Sequence, residues 1–190
     1  METQLQYIAT IQTGVFAKPV LHGKVVYLQA KHFDENGQLL DLIIPDLSYS
    51  NQIIKHILID GDVLFAAKGS KNFATQYQNK NGMCVASSTF LVIRLKDDFK
   101  NTQIMPEYLC WYINQPKTQE QLKAKARGSS IQSISKMDLL ELDISIPSVE
   151  KQRIIAKVDT LQKTEHSIIK KLQQLKEQYI QHRLFSAITI

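Results

Sequence analysis

Beyond Pro147 the chain contains neither proline nor glycine through to Ile190, and this uninterrupted stretch constrains the rest of the molecule. It begins with helix-start chemistry. Pro147 stops the preceding extended segment, Ser148 is a capping residue, and Glu150 places a negative charge in the first turn, against the positive end of the helix dipole. Alternate steps of four and three residues from Ile154 pass through Ile154, Val158, Leu161, Glu165, Ile168, Leu172, Leu175, Tyr179 and His182, of which seven are apolar or aromatic. The residues between them are mainly Lys, Gln, Glu and Thr. This is a heptad seam on an otherwise solvated helix. At about 1.5 Å per residue the helix would run roughly 55 Å, longer than a domain of this size can cover. An amphipathic helix folded back on its own domain would satisfy the pattern. So would an arm whose seam (Ile154, Val158, Leu161, Ile168, Leu172, Leu175, Tyr179) pairs with another long helix, and the length favours the arm.

The 190 residues suit one domain plus such an arm, with the boundary expected at Pro147: 1–147 globular, 148–190 helical. A composition that is 44% hydrophobic and 22% charged gives ample material for one core. There is no run of about 18 apolar residues, so no membrane span is expected. Met1-Glu2-Thr3-Gln4 has neither the basic nor the apolar region of a signal peptide. Cys84 and Cys110 have no metal-site spacing and sit in apolar surroundings, as buried thiols of a cytoplasmic protein would.

The net charge of +5 is unevenly spread. Residues 1–147 carry 15 basic and 14 acidic side chains, and residues 148–190 carry 8 and 4. Between Val63 and Lys96 there is no acid, but there are Lys68, Lys71, Lys80, Arg94 and Lys96. Between Gln121 and Met137 there is again none, but there are Lys123, Lys125, Arg127 and Lys136. Two acid-free basic islands in a nearly neutral domain suggest an anionic surface partner.

Along the chain, Tyr7–Ile11 reads as a strand ending at a Gly14 turn, and Val25–Leu28 as a second. Asp34-Glu35-Asn36-Gly37 is a turn, with Leu39–Ile44 extended after it. Asp60-Gly61-Asp62 turns into the buried strand Val63–Ala67, Lys68–Asn72 is a loop, and Asn81-Gly82 marks another turn. Cys84–Ile93 reads as strand throughout. Helices follow: Pro106 opens one through Ile113, and Pro116 restarts a second that ends near Gly128. Ser129–Ile134 is a polar loop and Leu139–Ile146 an extended exit. The expected class is α+β: a compact mixed sheet and helix domain, then one long coiled-coil-type helix.

No catalytic constellation is visible. The histidines are scattered, without HxxxH spacing, and no metal or cofactor site is expected. Gly61–Lys71 lacks the spacing of a phosphate-binding loop, GxGxxG and GxSxG are missing, and so is the Asn/Asp-Pro-Pro-aromatic signature of amino-methyltransferases. Asp60 and Asp62 flank a turn and read as its caps.

Taken together, Tyr7–Gly14, the Leu58–Ser70 segment with Gly61-Asp62 before its apolar strand, Pro106–Leu109, the glycine-led Gly128–Ile134 and the junction Ile144–Ile155 resemble the specificity subunit of type I restriction–modification systems. They stand in that family's order and lead into a long heptad helix. The resemblance implies a non-catalytic target-recognition domain that binds double-stranded DNA and recruits adenine-methylating modification subunits and, through them, a restriction motor. A full subunit of the family carries two recognition domains and two long helices, whereas this chain has one of each. It is therefore expected to act as a half subunit, a homodimer reading a bipartite palindromic target, or else to pair with a different specificity chain. On the DNA side Lys68, Lys71 and Lys80 would meet phosphates. Asn72, Gln76, Gln78, Asn79 and Asn81 carry amides suited to adenine. Gly69 and Ser70 allow close backbone approach, and Phe73 and Tyr77 would either stack on a base or pack under the loop. Arg127, Ser129, Ser130 and Gln132 make a second candidate surface. The bland reading of all these polar residues is a solvated loop. A reading of another class is an interaction adaptor whose basic islands face an acidic protein. The arm's own lysines would serve docking to the modification subunit or to the DNA spacer.

Overall fold

The structure is a computed structural model that describes residues 1–34, 37–40, 43–69, 71–79, 82–100, 102–128 and 132–188. It has two units, Met1–Arg153 and Ile154–Ile190.

The first unit is built on a four-stranded antiparallel sheet. Its strands are β2 (Ala9–Thr13), β4 (Val63–Ala66), β5 (Ala74–Gln76) and β7 (Phe90–Leu95), in the order β2-β7-β4-β5. Val63-Leu64-Phe65-Ala66 is buried at every position, as a strand covered on both faces must be. β3 (Val26–Leu28) and β6 (Cys84–Ala86) form a parallel pair, and β1 (Glu2–Gln4) pairs antiparallel with β8 (Asp143–Ser145). The last pairing joins the first residues to the segment before the long helix: Ile146 N–H donates to the Met1 carbonyl at 2.7 Å and Leu5 N–H to Leu142 at 2.9 Å. One core packs Leu28, Leu58, Leu64, Phe73, Phe90 and Val92. Within it Phe33, Phe73 and Phe90 stand edge-on or tilted at 5.7 to 6.1 Å.

Helix starts follow local rules. Pro106 and Pro116 occupy first positions of α3 (Pro106–Ile113) and α4 (Pro116–Lys125), where a missing N–H costs nothing. Three expectations are revised. Leu5–Ile8 is a short helix (α1), so the strand expected over Tyr7–Ile11 starts only at Ala9, as β2. Cys84–Ile93 is broken at Ser87–Thr89, where the Ser87 and Thr89 hydroxyls bond at 2.6 Å, and its halves enter different sheets. Leu139 belongs to α5 (Lys136–Leu140), which Ser135 and Asp138 start with a reciprocal capping box. A further short helix, α2, spans Asn51–Ile54. Gly14 does not turn the chain. It is where backbones touch, since a Cβ there would lie 2.1 Å from the Ser87 carbonyl oxygen.

Asp62 and Arg94 form the interior ion pair. Asp62 is 1% exposed; its two oxygens take Arg94 Nε at 2.8 Å and Nη2 at 2.6 Å, and it also accepts the Ile59 N–H at 2.9 Å. Arg94 therefore leaves the first basic island, because its charge is neutralised inside the domain.

The long helix, α6 (Val149–Ile188), has 40 residues, about 60 Å at 1.5 Å each. Its first turn stays with the first unit through Gln152, which is completely buried. The Gln152 amide donates to Gln103 (2.7 Å) and Pro147 (2.9 Å) and accepts from Met105 N–H (2.9 Å), so its carbonyl and both amide hydrogens are used. In the second unit the seam residues Ile154, Val158, Leu161, Ile168, Leu172, Leu175 and Tyr179 are all exposed, by 48 to 65%. Among the described residues no helix is long and apolar enough to cross a membrane.

Replacing Arg94 with Met leaves a buried carboxylate without its fork. Because Arg94 itself is partly solvated, the expected cost is the low end for a broken buried pair, about 3 kcal/mol. A fall in the urea unfolding midpoint at unchanged slope checks this. Arg94→Lys should recover only part of the loss, since an ammonium cannot make the paired contact.

Candidate nucleic-acid interface

The sheet register decides where the basic segments emerge. Thr13 pairs with Leu91, Ala66 with Phe90 and Phe65 with Ala74, so β2 and β4 end, and β5 and β7 begin, at one edge. The loop after β4 is closed twice. Ala66 N–H donates to Phe73 at 2.8 Å, and the Asn72 side chain donates to the Ala66 carbonyl at 2.8 Å. Inside that closure Lys68, Gly69 and Lys71 are held outward. Gly69 has φ +108°, a conformation in which a side chain is strained, yet an added Cβ would meet no atom within 4 Å.

Backbone bonds lace this loop to the second basic island. Ile134 N–H donates to Ala67 (2.9 Å), Gly69 N–H to Gln132 (3.0 Å), and Arg127 and Ser133 exchange bonds of 3.0 and 2.8 Å. Lys68 also bridges Ser133, and Ala67 N–H donates to Thr89 at 3.0 Å. Two segments distant in sequence thus form one surface on which Lys68, Lys71, Arg127 and Gln132 are exposed. Among the described residues none of Lys68, Lys71 or Arg127 is in a salt bridge; the ion pairs are Asp62–Arg94, Glu141–Lys125 and Asp159–Lys163. Arg127 acts electrostatically on the carboxyl of Asp138. Hydrogen bonds from Ser135 hold that carboxyl below the usual range, with help from the charges of Arg127 and Lys125, and the residue is buried.

The structure therefore brings Lys68, Gly69, Lys71, Arg127 and Gln132 together. Asn72 and Gln76 are half-buried and already engaged, Asn72 in closing the loop and Gln76 with Glu107 at 3.0 Å. Tyr77 is corrected. It is 3% exposed, its hydroxyl donates to the Gly82 carbonyl, and burial pushes its pKa up to about 12, so it packs beneath the loop. Phe73 is likewise a core ring. Ser70, Lys80, Asn81, Ser129 and Ser130 lie outside the described residues. Of the second island, Lys125 faces Glu141 at 3.6 Å. Sequence reasoning missed Ser133 and Thr89, which join the loops through backbone atoms and so leave no residue-type signal. It also missed Asn114, whose amide bonds both backbone groups of Ala74 at 2.7 Å and covers the open edge of β5. No cluster of three potential metal ligands exists among the described residues.

The family model described as type I restriction modification DNA specificity domain matches residues 18–177. The chain belongs to that family. The S subunit of a type I restriction–modification system from M. genitalium aligns with a TM-score of 0.56 at 17% identity, over 83% of this chain and 37% of that one. The HsdS subunit from Thermoanaerobacter tengcongensis gives 0.61 at 16%, over 91% and 39%. A chain from a type I R-M system, solved in work on complex assembly and conformational transition, gives 0.63 at 18%, over 93% and 41%. The specificity-domain chain thus spans about two fifths of the length of these structures, and what it shares with them is the fold. No curated protein matches by sequence.

Burial of Tyr77 makes a pH prediction. Its pKa is raised from 10.0 to about 12, so its contribution is complete below pH 10 and is lost as pH rises towards 12, where the unfolded chain ionises first. Tyr108, also raised to about 12 by burial, acts in the same direction. Thermal midpoints should fall across that window, and Tyr77→Phe should flatten the fall. An unchanged profile would mean the phenol is solvated.

Proposed function

We propose that this chain is a DNA sequence-specificity subunit that reads one half of a bipartite target and brings adenine-methylating modification subunits to it. The observation that carries the reading is the laced surface. Lys68, Lys71 and Arg127, drawn from two acid-free segments, are fixed by backbone bonds on one edge of the sheet, with the exposed Gln132 amide among them. Cations of this kind position a protein on phosphates, and an amide such as Gln132 can make paired hydrogen bonds to adenine in the major groove. The family membership supports the same reading.

Two copies pair through α6 in this proposal. A seam of seven large side chains, each about half to two thirds exposed in one chain, is accounted for by a second helix packing along it. An isologous pair presents two identical recognition units, so the target has inverted halves and a spacer set by the helices.

Base-resolution mapping of adenine methylation, with the gene intact and deleted, tests the reading directly. A two-part motif with inverted identical halves should disappear on deletion, and restoring the gene as Lys68→Gln/Lys71→Gln should bring back little of it. If unlike halves vanish, the partner is a different specificity chain; if methylation is unaltered while this gene and that of the modification subunit are both expressed, the chain is an adaptor. Leu172→Asp buries a charge in the seam and should turn the dimer into a monomer in sedimentation. A Leu172→Asp dimer would rule out the helix pairing.

A further inference from the structure

On α6 the residues beyond Ile154 sort onto three faces at about 100° per residue. One is the seam. A second holds Asp159 and Glu177, whose carboxylates are engaged along the helix: Asp159 with Lys163 at 2.7 Å, and Glu177 with the Gln173 amide at 3.2 Å. The third runs through Lys157, Thr160, Thr164, Lys171, Gln174 and Gln178, all exposed. Its columns, Lys157-Thr164-Lys171-Gln178 and Thr160-Ser167-Gln174-Gln181, hold no carboxylate and no large apolar side chain over about 36 Å of helix. It lies roughly 100° from the seam, so it stays open when the seam is covered.

We propose that this third face lies along the sugar–phosphate backbone of the duplex between the two half-sites. The inference rests on the specificity-subunit reading above. A protein partner would be expected to meet apolar anchors at the centre of an interface, and this face has none. Lysines interspersed with amides are groups that meet phosphate and sugar oxygens without reading sequence, while the Thr160 and Thr164 hydroxyls donate to the Ala156 and Thr160 carbonyls of the helix itself. Its length matches roughly 11 base-pair steps at 3.4 Å each, the scale of a spacer rather than of a single phosphate site. The contacts add affinity and fix the spacer path while leaving the spacer's sequence free.

The test is the salt dependence of binding by the full-length chain, wild type and Lys157→Gln/Lys171→Gln, to an arbitrary duplex of about 40 base pairs, followed by fluorescence anisotropy. Each phosphate contact contributes about 0.9 to the slope of log affinity against log salt, so the variant should lose about 1.8 per chain, about 3.6 for the dimer, and bind roughly 10³- to 10⁴-fold more weakly at 0.1 M salt. On a duplex of about 12 base pairs, which spans one recognition unit only, the two proteins should bind alike. Sedimentation should show an unchanged dimer, and Lys157→Arg/Lys171→Arg should restore the slope. A wild-type slope in the glutamine variant, while Lys68→Gln/Lys71→Gln lowers it, overturns the helix contact alone. Loss of modification-subunit capture at an unchanged DNA slope assigns the face to protein and also overturns it. If wild-type protein binds no duplex even with its modification partner, the specificity reading fails, and this inference with it.

Discussion

The carboxylate of Asp62 is the constraint on which the recognition unit depends. It lies out of water at the entry to the central strand, a position tolerable only if its oxygens are filled. They are filled from two directions. Arg94, on the neighbouring strand β7, supplies a planar fork, and the Ile59 N–H closes the turn that delivers the chain into β4. The backbone around Asp62 carries the register onward: its carbonyl accepts the Tyr77 N–H at 2.8 Å, and Gly61 N–H donates to Tyr77 at 3.2 Å. With strand entry, partner strand and returning strand tied at one point, the opposite end of the sheet is fixed too. That end is where the Lys68–Lys71 loop leaves. A buried charge at one end of the sheet therefore helps set where the surface cations stand at the other.

Side-chain amides show how much polar chemistry the fold itself consumes. Gln152 holds the first turn of the long helix, Asn114 acts as a missing strand beside Ala74, Asn72 closes the β4–β5 loop, and Gln76 ties β5 to Glu107 on α3. Each sits where a backbone or carboxylate group would otherwise be buried without a partner, a loss of about 1–3 kcal/mol apiece. A loop rich in Asn and Gln between lysines looks made for reading bases, yet Asn72 and Gln76 have their hydrogen bonds assigned within the domain. Gln132 differs. Its backbone carbonyl does the structural work, accepting from Gly69, and its side chain is left exposed. The fold and the proposed recognition use different atoms of the same residue there.

What was legible in the sequence follows the range of the interactions involved. The α6 seam, the prolines at the starts of α3 and α4, and the buried run Val63–Ala66 are written in neighbouring residues, because helix periodicity, capping and two-sided burial act over one or two turns. The strand break at Ser87–Thr89 escaped detection because two short hydroxyl side chains impose it within an unbroken β-prone run. Tyr77 and Arg94 carried the right chemistry for a DNA surface, but the Tyr77 hydroxyl is taken by the nearby Gly82 carbonyl and the Arg94 charge by Asp62, far off in sequence. The union of the two basic islands was least legible of all. It is made by main-chain groups of Ala67, Gly69, Gln132 and Ser133, and main-chain groups are common to every residue.

The recognition unit and the helix meet opposite physical demands. The unit satisfies most of its buried groups internally, as in Gln152, though among the described residues His56 Nδ1, Glu107 Oε2 and Gln119 Oε1 have no partner, and it presents a small set of cations on a fixed edge. Beyond Ile154 the helix satisfies its backbone and makes a few side-chain contacts along its own surface. Most of a helix's stability in water comes from packing an apolar face, and here that face is exposed along its length. Its ion pair and amide bond, Asp159–Lys163 and Gln173–Glu177, are i,i+4 contacts of the few-tenths kind that support a helix without replacing a core. The proposed pairing removes that deficit, and it does so on the seam alone, because the lysine and amide columns cannot be buried against an apolar partner without losing their hydration. The same sequence pattern therefore limits the helix to one packed face and keeps another in water, the condition that the proposed pairing and the proposed contact with DNA backbone both require.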